Sequence, residues 1–144
     1  MKQPFLFVAL TGITIGGFAQ KIKQALPPAA VKSAFEKAFP GASNTGWSNE
    51  KNDLEVNFVL QGKEMAAVYS NSGVLKETEE DISIAGLPAG VVPYIKAHYR
   101  NAAIKEAAKI TSPDGTVTYE AEVNKKDLIF DAKGKFLHEV KDAA

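Results

Sequence analysis

The sequence contains no cysteine. That excludes disulfide staples, thiolate metal sites and a lipid anchor on a processed N-terminal cysteine. Small exported proteins often lean on disulfides, so this chain has to hold together by burial, which favours one shared core over two independent halves. Histidine is scarce, with only His98 and His138. Neither has a second histidine near it, and His138 with Glu139 or Asp142 is the least poor metal set available; no metal and no cofactor is expected. An excess of charge is lacking too, with 17 basic against 17 acidic residues, so there is no electrostatic footprint for nucleic acid or an anionic membrane. No Gly-x-Ser-x-Gly elbow surrounds Ser70, Ser72 or Ser83, and no glycine-rich phosphate loop occurs. Asp131-Ala132-Lys133-Gly134 lacks the alternating donors and closing glutamate of a calcium loop and reads as a hairpin turn.

The one long hydrophobic run lies at the start. Met1-Lys2-Gln3 supplies a positive charge, Phe5 to Phe18 is apolar apart from Thr11 and Thr14, and Gly17-Phe18-Ala19 sets small residues at a cleavage site. This is the layout of a secretory leader. Its apolar stretch falls short of the roughly 20 residues that cross a bilayer core. Residues 1–19 are expected to be a signal peptide cleaved after Ala19, leaving a periplasmic or secreted protein that is not embedded in a membrane.

Beyond Ala19 the chain repeats itself. Pro28-Ala29-Ala30-Val31 matches Pro88-Ala89-Gly90-Val91, and the same offset relates Phe35 to Ile95 and Phe39 to Tyr99. Val31, Phe35 and Phe39 form an apolar stripe at helical spacing, as do Val91, Ile95 and Tyr99. Prolines precede both helices, where a missing N–H costs least. Gly41 and Asn101, the residue types that best tolerate a left-handed cap, come after them. Strand-like alternation is next, at Leu54 to Leu60 and at Val117 to Val123, with hairpin turns at Asn71-Ser72-Gly73 and Ala132-Lys133-Gly134. Ala103 to Ile110 has helical composition, but its repeat partner, with Ser43-Asn44-Thr45-Gly46-Trp47, does not; it is expected to be a strand. Glu77 to Asp81 reads as a solvated linker between the units. The fold class is α+β, a tandem duplication of one helix plus a three- or four-stranded antiparallel sheet. The first unit covers residues 20–81 and the second 82–144, sharing one domain.

These residues resemble the PepSY-like family, also called β-lactamase-inhibitor-like. The resemblance is carried by Leu26 to Ala42, Trp47 to Leu75, Leu87 to Ala102 and Tyr119 to Leu137, with helices opening on proline and hairpins closing on Asp-x-x-Gly. The first copy departs at Ser70, where the second has Asp131. The resemblance implies tandem helix-plus-sheet units, a non-enzymatic role and an exported protein. The β-lactamase inhibitor that shares this architecture grips its enzyme with an open sheet face and hairpin loops. The cysteines of that inhibitor are missing here, so a lactamase is not specified as the target.

The leading reading is therefore an exported, non-enzymatic binding module that inhibits or regulates an envelope hydrolase through an open sheet face. The alternatives are a structural or stress-related envelope protein that self-associates, and a carboxylate-based hydrolase using Glu120 and Glu122, which share one strand face. Trp47 and Tyr69 are the candidate partner-binding residues. Trp47 stands where the second copy has Ala107, and tryptophan is enriched at binding hot spots. Exposed aromatics around these two would favour binding, an evenly charged face would favour self-association, and a pocket joining Glu120, Glu122 and a histidine would favour the hydrolase.

Overall fold

The computed structural model describes residues 24–141; the expected leader at 1–19 and Asp142 lie outside them. The first helix, α1 (Ala29–Ala38), follows Pro27 and Pro28 and buries Val31 and Phe35. It stops where Gly41 takes a positive φ of 86° and the Ala42 N–H donates to the Phe39 carbonyl. The second helix, α2 (Val91–His98), buries Val91 and Ile95. There Asn101, at φ 55°, takes the left-handed position and Ala102 N–H donates to Tyr99. A glycine and an asparagine thus end two helices by one device, the left-handed cap that leaves the last carbonyls satisfied.

Four strands follow α1, namely β1 (Ser43–Glu50), β2 (Asp53–Leu60), β3 (Lys63–Ser70) and β4 (Leu75–Asp81). After a short 3-10 turn (Ile84–Gly86) and α2 come β5 (Ile104–Thr111), β6 (Val117–Val123), β7 (Lys126–Asp131) and β8 (Phe136–Lys141). All eight pair antiparallel in chain order as a single sheet. The joint is β4 with β5, where Glu79 faces Ile110 and Asp81 faces Ala108. This corrects the expected linker: Glu77 to Asp81 is not a solvated connection but most of an interior strand, hydrogen-bonded on both sides. Its acidic composition is a poor strand signal by itself. Two neighbouring strands satisfy its backbone and override that bias. The helix-like Ala103 to Ile110 stretch is likewise an interior strand, as expected.

The unbroken register fixes the faces. Trp47 opposes Val56, Val56 opposes Ala67 and Ala67 opposes Thr78; Thr78 opposes Thr111 and Lys109 opposes Tyr119, which opposes Phe130. Directly opposed residues share a face. Both helices therefore lie on the same side of the sheet. Under α1 pack Leu54, Val56, Phe58, Ala67 and Tyr69; under α2 pack Ala107, Ala121, Val123, Leu128 and Phe130. The helix starts rest on hairpins. Gly73 (φ 89°) closes the β3–β4 turn so near α1 that a Cβ would lie 3.1 Å from the Ala30 carbonyl oxygen. Gly134 (φ 83°) closes the β7–β8 turn against Gly90, with 3.2 Å from a Cβ to the Gly90 nitrogen. The residue opening each turn helps to close it: Ser70 Oγ accepts from Val74 N–H at 3.1 Å, and Asp131 Oδ1 from Lys135 N–H at 2.9 Å.

Candidate functional site

No described helix lies on the other face of the sheet. Its residues follow from the same register. On the first strands it carries Glu50, Asp53, Glu55 and Glu64. On β4 it carries Glu77, Glu79 and Asp81. On the last strands it carries Glu120, Glu122, Asp127 and Asp131. Eleven of the 17 acidic residues of an electrically balanced chain thus share one sheet face. The regularly paired positions of that face hold no lysine or arginine, and His138 is their one basic side chain. Lys63, Lys109 and Lys126 fall on the helix side. At the β3–β4 bulge, Lys76 reaches Asp53 at 2.7 Å.

Ser48, Asn57, Ser70 and Thr118 share this face, and the apolar side chains between the carboxylates are themselves buried. Val68 stands between Glu55 and Glu77, Ala66 and Ile110 flank Glu79, and Ala108 separates Asp81 from Glu120. Glu55, Glu79 and Glu120 are buried. Burial, then the charges of Glu120, Asp81, Glu77 and Glu55, push the Glu79 carboxyl well above its ordinary range. Glu77 is pushed up to about 7, first by burial and then by Glu55 and Asp53. Burial also raises Glu55, against a hydrogen bond from Asn57 Nδ2 to its Oε1 at 2.7 Å. The common cause is that an ionised carboxylate loses hydration here and meets like charge instead of a cation.

The aromatic candidates lie elsewhere. Tyr69 is 1% exposed in the core under α1, and its hydroxyl is buried without a hydrogen-bond partner. It presents no contact surface. Trp47 is half-buried on the edge strand β1, its ring packed edge-on to Phe35 with centroids 5.5 Å apart. It faces α1 and not the open side. With Phe39 and Thr45 it lines a cleft of about 390 Å³ at the end of α1. Ala107, its counterpart by sequence, also faces the helix side, but from an interior strand. An edge position has room for bulk that an interior one lacks.

The remaining candidates separate in space. Glu120 and Glu122 do share a face, but Glu120 is buried and not a wet strand position. His138 opposes Ile129 on the open face while Glu139 opposes Leu128 on the helix side, where it meets Lys126 and Tyr99. They cannot close on one ion. His98 stacks on Tyr94 with centroids 4.0 Å apart. Among the described residues, no group of three or more histidine and carboxylate side chains is arranged to hold a metal ion, and no helix is long and apolar enough to cross a membrane. Sequence reasoning misses the acidic face itself. Its signal lies in the acidic run at Glu77 to Asp81 and the glutamates of Thr118 to Val123.

The family model described as "Putative beta-lactamase-inhibitor-like, PepSY-like" matches residues 55–138. No curated protein matches the chain. Solved structures match in fold. A BLIP-like protein from Bacteroides fragilis is 22% identical, with 82% of this chain and 88% of that one covered at a TM-score of 0.67. A DUF2874 family protein from Bacteroides uniformis is 17% identical over 80% and 89%, with a TM-score of 0.71. A chain from Bacteroides eggerthii described as "putative periplasmic" is 19% identical over 81% and 89%, also at 0.71.

Proposed function

The chain belongs to the PepSY-like, β-lactamase-inhibitor-like family, and from that premise we propose that it is an exported, non-enzymatic module that binds a protein partner on its open sheet face. Exposed aromatics do not carry this reading, since Trp47 and Tyr69 both face α1; the asymmetry of the sheet does. One side is filled by two helices, and the other carries eleven acidic residues spread over six of the eight strands. A structural neighbour described as periplasmic supports an envelope location after loss of residues 1–19. An envelope hydrolase as the bound and regulated partner remains part of this proposal, by analogy with the inhibitor whose fold the family name invokes. The order α1 to β4 recurs as α2 to β8, and register shifts fall at Ser43/Gly46 and Ile104/Ala107, and again at Val68/Tyr69 and Ile129/Phe130. That correspondence supports reading the chain as a duplication.

A photocrosslinking residue placed at Glu122, on the open face, or at Lys37, on the outer side of α1, tests the binding surface in intact cells. Adducts from position 122 and none from 37 are expected. Adducts from 37 alone would overturn the reading. An adduct with the mass of a second copy of the chain would favour the self-association alternative, which sedimentation of the purified protein checks independently.

A further inference from the structure

We propose that the open face receives a polypeptide segment presenting lysine or arginine side chains beside apolar ones, anchored on Glu55, Glu77 and Glu79. This rests on the open face being the binding surface and adds the chemistry of the partner.

Three observations converge on it. The first is charge segregation: a chain of zero formal charge concentrates eleven acidic residues on one side of its sheet and keeps Lys63, Lys109 and Lys126 on the other. Complementary charge in a partner is what such a field selects. The second is Glu79. It is only 6% exposed, and among the described residues no hydrogen-bond donor or cation is matched to it. The charged groups acting on it are Glu55 from β2, Glu77 and Asp81 from its own strand, and Glu120 from β6, while β3 and β5 bring Ala66 and Ile110 beside it. Around Glu77 stand Glu55 and Asp53, the latter held by Lys76. A buried carboxylate without a counter-charge is costly, and a cation that arrives with its own apolar surroundings relieves that cost.

The third observation decides what carries the cation. Carboxylates and apolar side chains alternate across the strands, as in Glu55, Val68, Glu77 and again in Ala66, Glu79, Ile110. The apolar members of these rows are themselves buried, Ala66 and Ile110 at 2% and Val68 at 8% exposed, so a hydrated metal ion would have to shed its water among them. A lysine or arginine side chain brings its charge on an aliphatic stem that packs against such groups, and a peptide carrying several of them at alternate positions reaches carboxylates of neighbouring strands together. Such binding favours ionised carboxylates, so it releases protons and weakens as pH falls.

Calorimetry on the mature chain with three synthetic nonapeptides tests this. One has the pattern Lys-Ser-Leu-Ser-Lys-Ser-Leu-Ser-Lys, whose extended form lines up Lys, Leu, Lys, Leu, Lys on one side; the others replace Lys by Gln or by Glu. The Lys peptide should bind and the other two should not. Its affinity should fall about tenfold or more in the double variant Glu77→Gln/Glu79→Gln, and should also fall between pH 8 and pH 5.5. Circular dichroism verifies that the variant is folded. Equal binding of the Gln peptide, an unchanged affinity of the double variant, or spermidine binding as tightly as the peptide would each overturn the proposal. If the Lys peptide fails while crosslinks from position 122 persist, the partner's chemistry is wrong and the binding surface stands. If those crosslinks are absent, the surface itself is wrong.

Discussion

Glu79 on β4 and Glu120 on β6 share one face of the sheet with only β5 between them, and the charge of Glu120 adds to burial in pushing the Glu79 carboxyl well above its ordinary range. The two residues come from opposite sides of the β4–β5 joint, so the relationship exists only because the sheet is continuous. It also sets a cost. A protein that keeps like charges together on a buried face is less stable than the same fold without them.

That cost has a pH signature. The folded-state carboxyls of Glu77 and Glu79 bind protons more tightly than their unfolded counterparts, so their contribution to stability is complete below about pH 4.5 and is lost as pH rises through about 7 for Glu77. Allowing for the partial solvent contact of Glu77, the loss between pH 5 and pH 8 should be about 1–2 kcal/mol. Melting followed by circular dichroism should show a Tm lower by about 4–8 °C at pH 8. Glu79→Gln should raise the Tm at pH 8 and flatten the dependence; a Tm that climbs with pH would contradict the assignment.

Gly134 and Gly62 both have positive φ, 83° and 78°, but only Gly134 has backbone against the position of its missing Cβ. Gly62→Ala should cost about 1 kcal/mol for the conformation alone. Gly134→Ala must also displace α2 from its hairpin and should cost about 2 kcal/mol or more in urea unfolding. Equal costs would mean that the helix start and the turn are not in contact.

The Tyr69 hydroxyl is buried without a hydrogen-bond partner while the ring packs in the core. Tyr69→Phe keeps the packing and removes the unsatisfied group, so unfolding free energy should be unchanged or rise by up to about 1 kcal/mol. A loss above about 1 kcal/mol would reveal a partner for that hydroxyl.

Trp47 braces Phe35 from the edge strand, on the side away from the acidic face. Trp47→Ala should therefore destabilise the fold by about 2 kcal/mol while leaving crosslinks from position 122 intact. Loss of those crosslinks in a fully folded variant would return Trp47 to the binding surface.

The legible parts of this fold are local. Gly41 and Asn101 end helices, Gly73 and Gly134 close hairpins, and the stripes of Val31, Phe35 and of Val91, Ile95 face the sheet, because each depends on a few neighbours in sequence. The strand at Ala103 to Ile110 is legible from the sequence match to the Ser43 to Trp47 stretch, against its own composition. Long-range facts are not legible. Glu77 to Asp81 reads as a linker until strands from both halves flank it, and Glu120 reads as solvated until its face is known to hold Glu79. The mismatch of Trp47 with Ala107 suggests a contact residue; in the fold Trp47 faces α1 from an edge strand and Ala107 faces α2 from an interior one.

The carboxylates of the open face are held for a cation, and carbon-detected NMR of the Glu77 and Glu79 side chains measures this directly. The titration is run with pH, with and without the Lys peptide. In the free protein both should titrate above the ordinary carboxylate value of 4.5, Glu77 at about 7, and both midpoints should move down when the peptide is bound. Titration of both near 4.5 in the free protein, with no response to the peptide, would contradict that role for the open face.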